Sequence, residues 1–170
     1  YSGGFFALVE ARRVGLELVP ASARALADLG TRLRHAANDQ LSVRHPELPF
    51  VRTIDAVEFH GPAERQADGA LRARNAATFG ERTIDRSPCG TGTCARMAVL
   101  HARRELKVGQ RFVSESIIGS CFVGQIVEET RVGEMTMEVE HVERIDVQPN
   151  FSPYAGRNFP TQVFWGDTHV

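Results

Sequence analysis

The stretch DRSPCGTGTCARMAVLHA, Asp85 to Ala102, is the part of this chain that the remainder is built to position. A turn rich in Ser, Pro and Gly delivers Cys89 to the start of a segment that reads as a helix, so the thiol falls where backbone N–H groups point outward. Thr91 or Thr93 is the expected N-cap, and Gly90 and Gly92 let the backbone approach a ligand closely. Ala95, Met97, Ala98, Val99, Leu100 and Ala102 leave almost no polar face, which predicts burial. Gly109 is expected just past the helix end, beyond Arg103, Arg104 and Lys107, whose charges suit a C-terminus.

Outward from that helix the chain is strand-rich. Gly3 to Val9 reads as a strand entered from a glycine turn, and its apolar run predicts burial on both faces. Pro20 opens a helix to about Gln40, with Leu26, Leu29, Leu33 and Ala37 at three- and four-residue steps, the pattern of a helix laid on a sheet. His35 on that helix reads as a packing or surface residue. Pro46 and Pro49 exclude a helix from the segment around His45. Phe50 to Phe59, Ala70 to Phe79 and Arg111 to Ile118 read as strands, and Phe122 to Thr130 and Met135 to Val142 as two more. Composition shifts after Val147 toward Pro, Asn, Gly and aromatics, which puts a boundary there: residues 1–147 form one domain and 148–170 a divergent tail.

The 170 residues are 42% hydrophobic, enough for one or two domains with real cores. Twenty basic residues against 21 acidic ones give a net charge of −1, so no global field draws in nucleic acid or an anionic membrane, and neither is an expected partner. Three cysteines at 89, 94 and 121 form no paired framework, which fits a reducing compartment, the cytoplasm by default. Cys94 and Cys121 read as buried small hydrophobes.

Cys89 is the candidate for chemistry. Aligned N–H dipoles favour a thiolate, so the expectation is a sulfur more acidic than a free thiol and able to act as a general base. Asp85 lies across the proline turn, where a carboxylate can grip a substrate ammonium. The N–H groups of Gly90, Thr91 and Gly92 can hold a carboxylate. An amino acid needs both grips. The competing readings are plainer: a lone Cys is more often inert, and an Asp before Arg-Ser-Pro more often caps a turn. Gly90-x-Gly92-x-x-Ala95 matches a relaxed dinucleotide fingerprint, but no strand runs directly into its first glycine. Cys89 and Cys94 point to different sides of a helix, which argues against a redox pair or a metal site.

DRSPCGTGT followed by ARMA, with Phe79 ten residues ahead of Cys89, resembles the C-terminal half of the proline racemase family, especially its 4-hydroxyproline epimerase branch. SGGFFALVE near the start and FVSESIIGSCFVGQIV, Phe112 to Val127, extend the likeness to about residue 140. The resemblance implies an α+β fold like that of diaminopimelate epimerase: two alike domains, each a curved, mostly antiparallel sheet wrapped on a central helix, with one of the two present here. It also implies a cofactor-independent exchange at Cα of 4-hydroxyproline or proline, in which one thiolate removes the proton and a thiol across the cleft returns one. By position Cys89 would be the second thiol, Asp85 would hold the ring nitrogen, Gly90 and Thr91 would bind the carboxylate, and Phe79 would line the ring pocket. No metal is implied. The family's dehydratases carry Thr where Cys89 stands, so Cys89 points to epimerisation.

The family's first motif, Met-Cys-Gly-His, belongs to a domain ahead of Tyr1. Completing the site then calls for that half, or a second copy of the chain. Failing either, the expected alternative is a catalytically incomplete fragment that keeps its fold and weak carboxylate binding. The tail from Ser152 resembles the opening of the metal-dependent hydrolases whose first strand runs into a His-x-His motif, with Asp167 and His169 as remnants of ligands. It is expected to pack poorly.

Overall fold

The computed structural model describes residues 1–129 and 164–166. The strands are β1 (Phe5–Glu10), β2 (Ile54–His60), β3 (Glu64–Arg65), β4 (Leu71–Phe79), β5 (Thr83–Asp85), β6 (Arg111–Ser116), β7 (Cys121–Gln125) and β8 (Phe164–Gly166). Two helices interrupt them, α1 (Ala23–Gln40), entered from a 3-10 turn at Pro20–Ser22, and α2 (Gly90–Ala102). The nine-residue β4 organises the sheet. It pairs with β2 and β5 through its C-terminal half and with β3 and β6 through its N-terminal half, while β1 adds to β2 and β7 to β6.

The sheet is mixed, which corrects the mostly antiparallel expectation. β1–β2, β4–β6 and β5–β8 run parallel, and the other pairings run antiparallel. The reason lies in the connections: β1 reaches β2 through α1, and β4 reaches β6 through β5 and α2, long crossovers that restore the strand direction.

Alternation along the strands gives the sheet two apolar faces. Val57, Phe59, Ala76 and Ile84 pack with Leu26, Ala27 and Leu33 of α1. Gly30 makes this packing close, since a Cβ there would run into the Thr78 side chain. Leu71, Ala73 and Phe112 pack with Met97 and Leu100 of α2 and with Leu106 beyond it. α2 touches both β1 and β7. Those strands lie four strand spacings apart, roughly 19 Å in a flat sheet, which is about the length of the 13-residue α2, so the helix spans the sheet from one to the other.

Several element boundaries differ from the sequence reading. β2 begins at Ile54, not Phe50, because the prolines close a turn around His45: its N–H donates to Val51 O, and its Nδ1 accepts from the N–H groups of Glu47 and Leu48. β1 is an edge strand and mostly half-buried, so its apolar run does not mark burial on both faces. β7 ends at Gln125, and the strand expected at Met135 to Val142 lies outside the described residues. So does the tail, with Asp167 and His169, apart from β8, whose backbone pairs with β5.

α2 is not buried all round. Thr91, Cys94, Ala98 and Ala102, at three- and four-residue steps, form an exposed stripe. Cys94 sits on that stripe and Cys121 on the outer strand β7, so both are exposed rather than packed inside. The helix also stops earlier than Gly109 would suggest. Arg104 takes the left-handed conformation at φ 62°, and the N–H groups of Glu105 and Leu106 both return to Leu100 O.

Candidate active site

Cys89 itself is the N-cap of α2, in place of Thr91 or Thr93. Its φ is 61° with ψ 115°, a conformation that L-residues rarely adopt, that costs ~1–3 kcal/mol and that persists only where the surroundings impose it. The surroundings do so from both sides. Upstream, the Asn75 amide donates to Pro88 O at 2.7 Å, Thr93 Oγ1 donates to the same oxygen, and the Cys89 N–H donates to Ser87 Oγ at 3.0 Å. Downstream, the Thr93 N–H closes the first helical turn onto Cys89 O at 2.8 Å. The turn turns the sulfur back over the helix start, where Sγ accepts from the Gly92 N–H at 3.4 Å and lies 3.6 Å from the Thr91 hydroxyl.

The N–H groups of Gly90 and Thr91 have no acceptor among the described residues, and both residues are exposed. Ser2 Oγ donates to Thr91 O at 2.7 Å, which ties the N-terminal segment to the same turn. Asp85 is buried at the end of β5, where its Oδ1 accepts the Ser87 N–H at 2.8 Å. It caps the turn and also lies close enough to the sulfur to oppose thiolate formation. Phe79, half-buried at the end of β4, shares the sheet face with Asn75 and Ala77, the face that α2 covers. Cys89, Gly90, Thr91 and Asp85 thus meet at the turn into α2, while Phe79 lies at the end of β4 on the sheet face that this helix covers.

The expected acidity of Cys89 is reversed. Burial of the side chain pushes the thiol above its ordinary value, against the pull of the Thr91 and Gly92 hydrogen bonds, and the carboxylates of Asp85 and Glu58 push the same way. The helix dipole favours a thiolate, but desolvation and two acidic neighbours outweigh it. The thiol is therefore a weaker acid than its place at a helix terminus predicts.

Glu58 is the residue that sequence reasoning missed. It lies in the middle of β2, fully buried, on the face toward α2. A Cβ on Gly92 would collide with Glu58 Oε2 and would lie 3.3 Å from both Cβ and Sγ of Cys89. The glycine is there because the carboxyl fills its side-chain space. Around Glu58 stand Asn75, half-buried His60 and the largely buried Arg96, a polar island beneath the first turns of α2. Burial raises the Glu58 carboxyl to about 7 and lowers His60 to about 4, so both favour their neutral forms. The available signal was a charged residue within the Ala56–Phe59 stretch of β2, flanked by Val57 and Phe59.

Among the described residues, no group of three or more His, Cys, Asp and Glu side chains could hold a metal ion, and no helix is long and apolar enough to cross a membrane. A surface cavity of about 590 Å³ lies away from Cys89, between α1 and the start of β2, lined by Arg34, Asn38, Arg52 and Asp55 among others.

Known proteins resemble this chain in sequence and in fold. The chain is 42% identical over 143 residues to a proline racemase of Clostridioides difficile, an alignment that covers 84% of this chain and 42% of that protein. It is 42% identical over 135 residues to a probable 4-hydroxyproline 2-epimerase of Rhizobium meliloti, with coverage of 79% and 39%. The structure superposes with a TM-score of 0.69 on a hydroxyproline epimerase of Agrobacterium vitis solved with bound trans-4-hydroxy-L-proline, at 39% identity, covering 79% of this chain and 38% of that one. The chain therefore spans about two fifths of the length of the relatives it matches. Residues 1–145 match the family model described as proline racemase, and with the helix-terminal Cys89 and its strand-end neighbours in place, this chain belongs to the proline racemase family.

Proposed function

We propose that this chain supplies one of the two thiols of a cofactor-independent epimerase or racemase acting at Cα of 4-hydroxyproline or proline. The observation that carries this reading is Cys89 held at positive φ as the cap of α2, beside the Gly90 and Thr91 N–H groups that have no acceptor among the described residues. Those two groups bind the substrate carboxylate at the positive end of the helix. Asp85 holds the ring nitrogen, and Phe79 lines the ring pocket. A sulfur that keeps its proton suits the acid's part. A thiolate on the opposite wall takes the Cα proton while the Cys89 S–H delivers its own to the other face, and the two sulfurs exchange roles in the reverse direction. Carboxylate binding at the helix terminus stabilises the charge that spreads from Cα.

The domain that carries Cys89 comprises residues 1–147, of the diaminopimelate epimerase type, with 148–170 a separate segment. The opposite wall comes from an N-terminal half of the same type or from a second copy. The share of the relatives' length that the chain spans favours a second reading for the chain on its own: a half-site that binds carboxylate without exchanging hydrogen. Incubation with L-proline and with each 4-hydroxyproline isomer in D₂O, followed by NMR, separates the two. Cα deuterium incorporation that is lost in Cys89→Ser supports the enzyme, and chemical-shift changes without deuteration identify the half-site. Full exchange retained by Cys89→Ser overturns the thiol mechanism.

A further inference from the structure

We propose that Glu58 is a positioning residue for Cys89: its carboxyl, wedged under the first turn of α2 against Gly92, fixes the sulfur's place and governs whether it keeps its proton. The proposal rests on Cys89 as a reacting thiol, and it goes beyond the substrate contacts assigned above because Glu58 is sealed from the substrate side. Three observations carry it. Glu58 is fully buried, and neither of its carboxyl oxygens has a hydrogen-bond partner of ordinary geometry. The carboxyl fills the side-chain space of Gly92, the residue whose N–H the Cys89 sulfur accepts. Asn75, beside Glu58, ties down Pro88 O directly ahead of Cys89, and its own Oδ1 also lacks a donor.

A buried carboxyl with only the poorly placed Asn75 amide and the Arg96 charge to offset its burial is expensive as packing alone, because hydrophobic residues of similar size fill such space at no desolvation cost. At this place it has a consequence for the thiol. While Glu58 is protonated, it can donate to Asn75 Oδ1, the unpartnered acceptor beside it; Arg96 Nε is the unpartnered donor of the same island. Once ionised, it sets a negative charge under the helix terminus that would otherwise stabilise the thiolate. The groups that face it are Asn75 from β4, His60 from its own strand, and Arg96 and Cys89 from α2 and its cap; Asp85 faces the sulfur from β5. Arg96 favours the ionised form of Glu58 and also opposes protonation of His60, while Glu10, Glu105 and Arg103 add weaker fields. Burial raises Glu58 to about 7, so the change falls near neutral pH.

The test is the rate of iodoacetamide alkylation of Cys89, read by peptide mass spectrometry, in the parent chain and in Glu58→Gln, with Cys94 and Cys121 as internal controls. At about pH 8.5, where Glu58 is ionised, the variant's Cys89 is alkylated more than about twofold faster than the parent's. At about pH 5.5, where both side chains are neutral, the rates agree. Equal rates at both pH values overturn the proposal. So does the same acceleration at both, which is what loosened packing would produce. If Glu58→Gln does not fold, the parent decides: a break near pH 7 in the slope of log rate against pH supports the coupling, and an unbroken slope overturns it. The readout needs no turnover, so it can fail while D₂O exchange succeeds, and the reverse.

Discussion

Cys89 shows how one residue's backbone and side chain can be set by different forces. Its positive φ is imposed by the hydrogen bonds that hold Pro88 and Ser87, while its protonation is imposed by burial against Glu58 and Asp85. The neighbouring glycines divide along the same line. Gly90 has open space where a Cβ would go, whereas Gly92 has the Glu58 carboxyl there. Gly92→Ala is therefore expected to lower stability by about 1–3 kcal/mol, the ordinary cost of overpacking. Gly90→Ala should shift it by no more than about 1 kcal/mol, and upward, since alanine favours the helix. Urea midpoints of the two variants check this, and equal midpoints would remove the close contact from the account.

At the scale of elements, β2 and α2 share a polar island whose two titrating members have opposite effects on stability with pH. Glu58 is raised in the folded chain, so its contribution is full below about pH 4.5 and is lost as pH rises toward about 7, because the unfolded chain releases the proton first. His60 is lowered, so its contribution is full above about pH 6.5 and is lost as pH falls toward about 4, where the unfolded chain binds a proton that the folded one excludes. Over the shared window the two slopes oppose each other. Urea unfolding at pH 5 and pH 6.5 should show a small net change in the parent. In Glu58→Gln the His60 slope remains alone, and stability should rise between those pH values by on the order of 1–2 kcal/mol. A flat profile in that variant would mean that His60 is not held neutral.

At the scale of the whole molecule, the sheet that α2 spans ends in β7, which pairs only with β6 among the described residues and exposes Phe122 and Val123. Ile118 before it and Val127 after it are exposed as well. An apolar edge of this kind invites pairing with another chain. Sedimentation velocity of this chain should show association that grows with concentration, and Val123→Lys should shift the distribution toward monomer. An unchanged distribution would place the association surface elsewhere or remove it.

The local code was readable throughout. Pro, Gly and Ser placed the turn before Cys89, three- and four-residue spacing placed α1 and α2, and the DRSPCGTGT motif marked the family, since turn chemistry and periodicity are properties of neighbours along the chain. Sequence alone therefore determined that a thiol would stand at a helix terminus, next to Asp85 and two N–H-bearing residues able to hold an anion. It misread what depends on distant partners. Cys94 and Cys121 are exposed, the sheet is mixed, and the Cys89 thiol is less acidic than its helix position implies. Those outcomes were decided by the tertiary structure, because desolvation and close contact arise only when β2 lays Glu58 beneath Gly92, and no pattern of adjacent residues encodes that meeting.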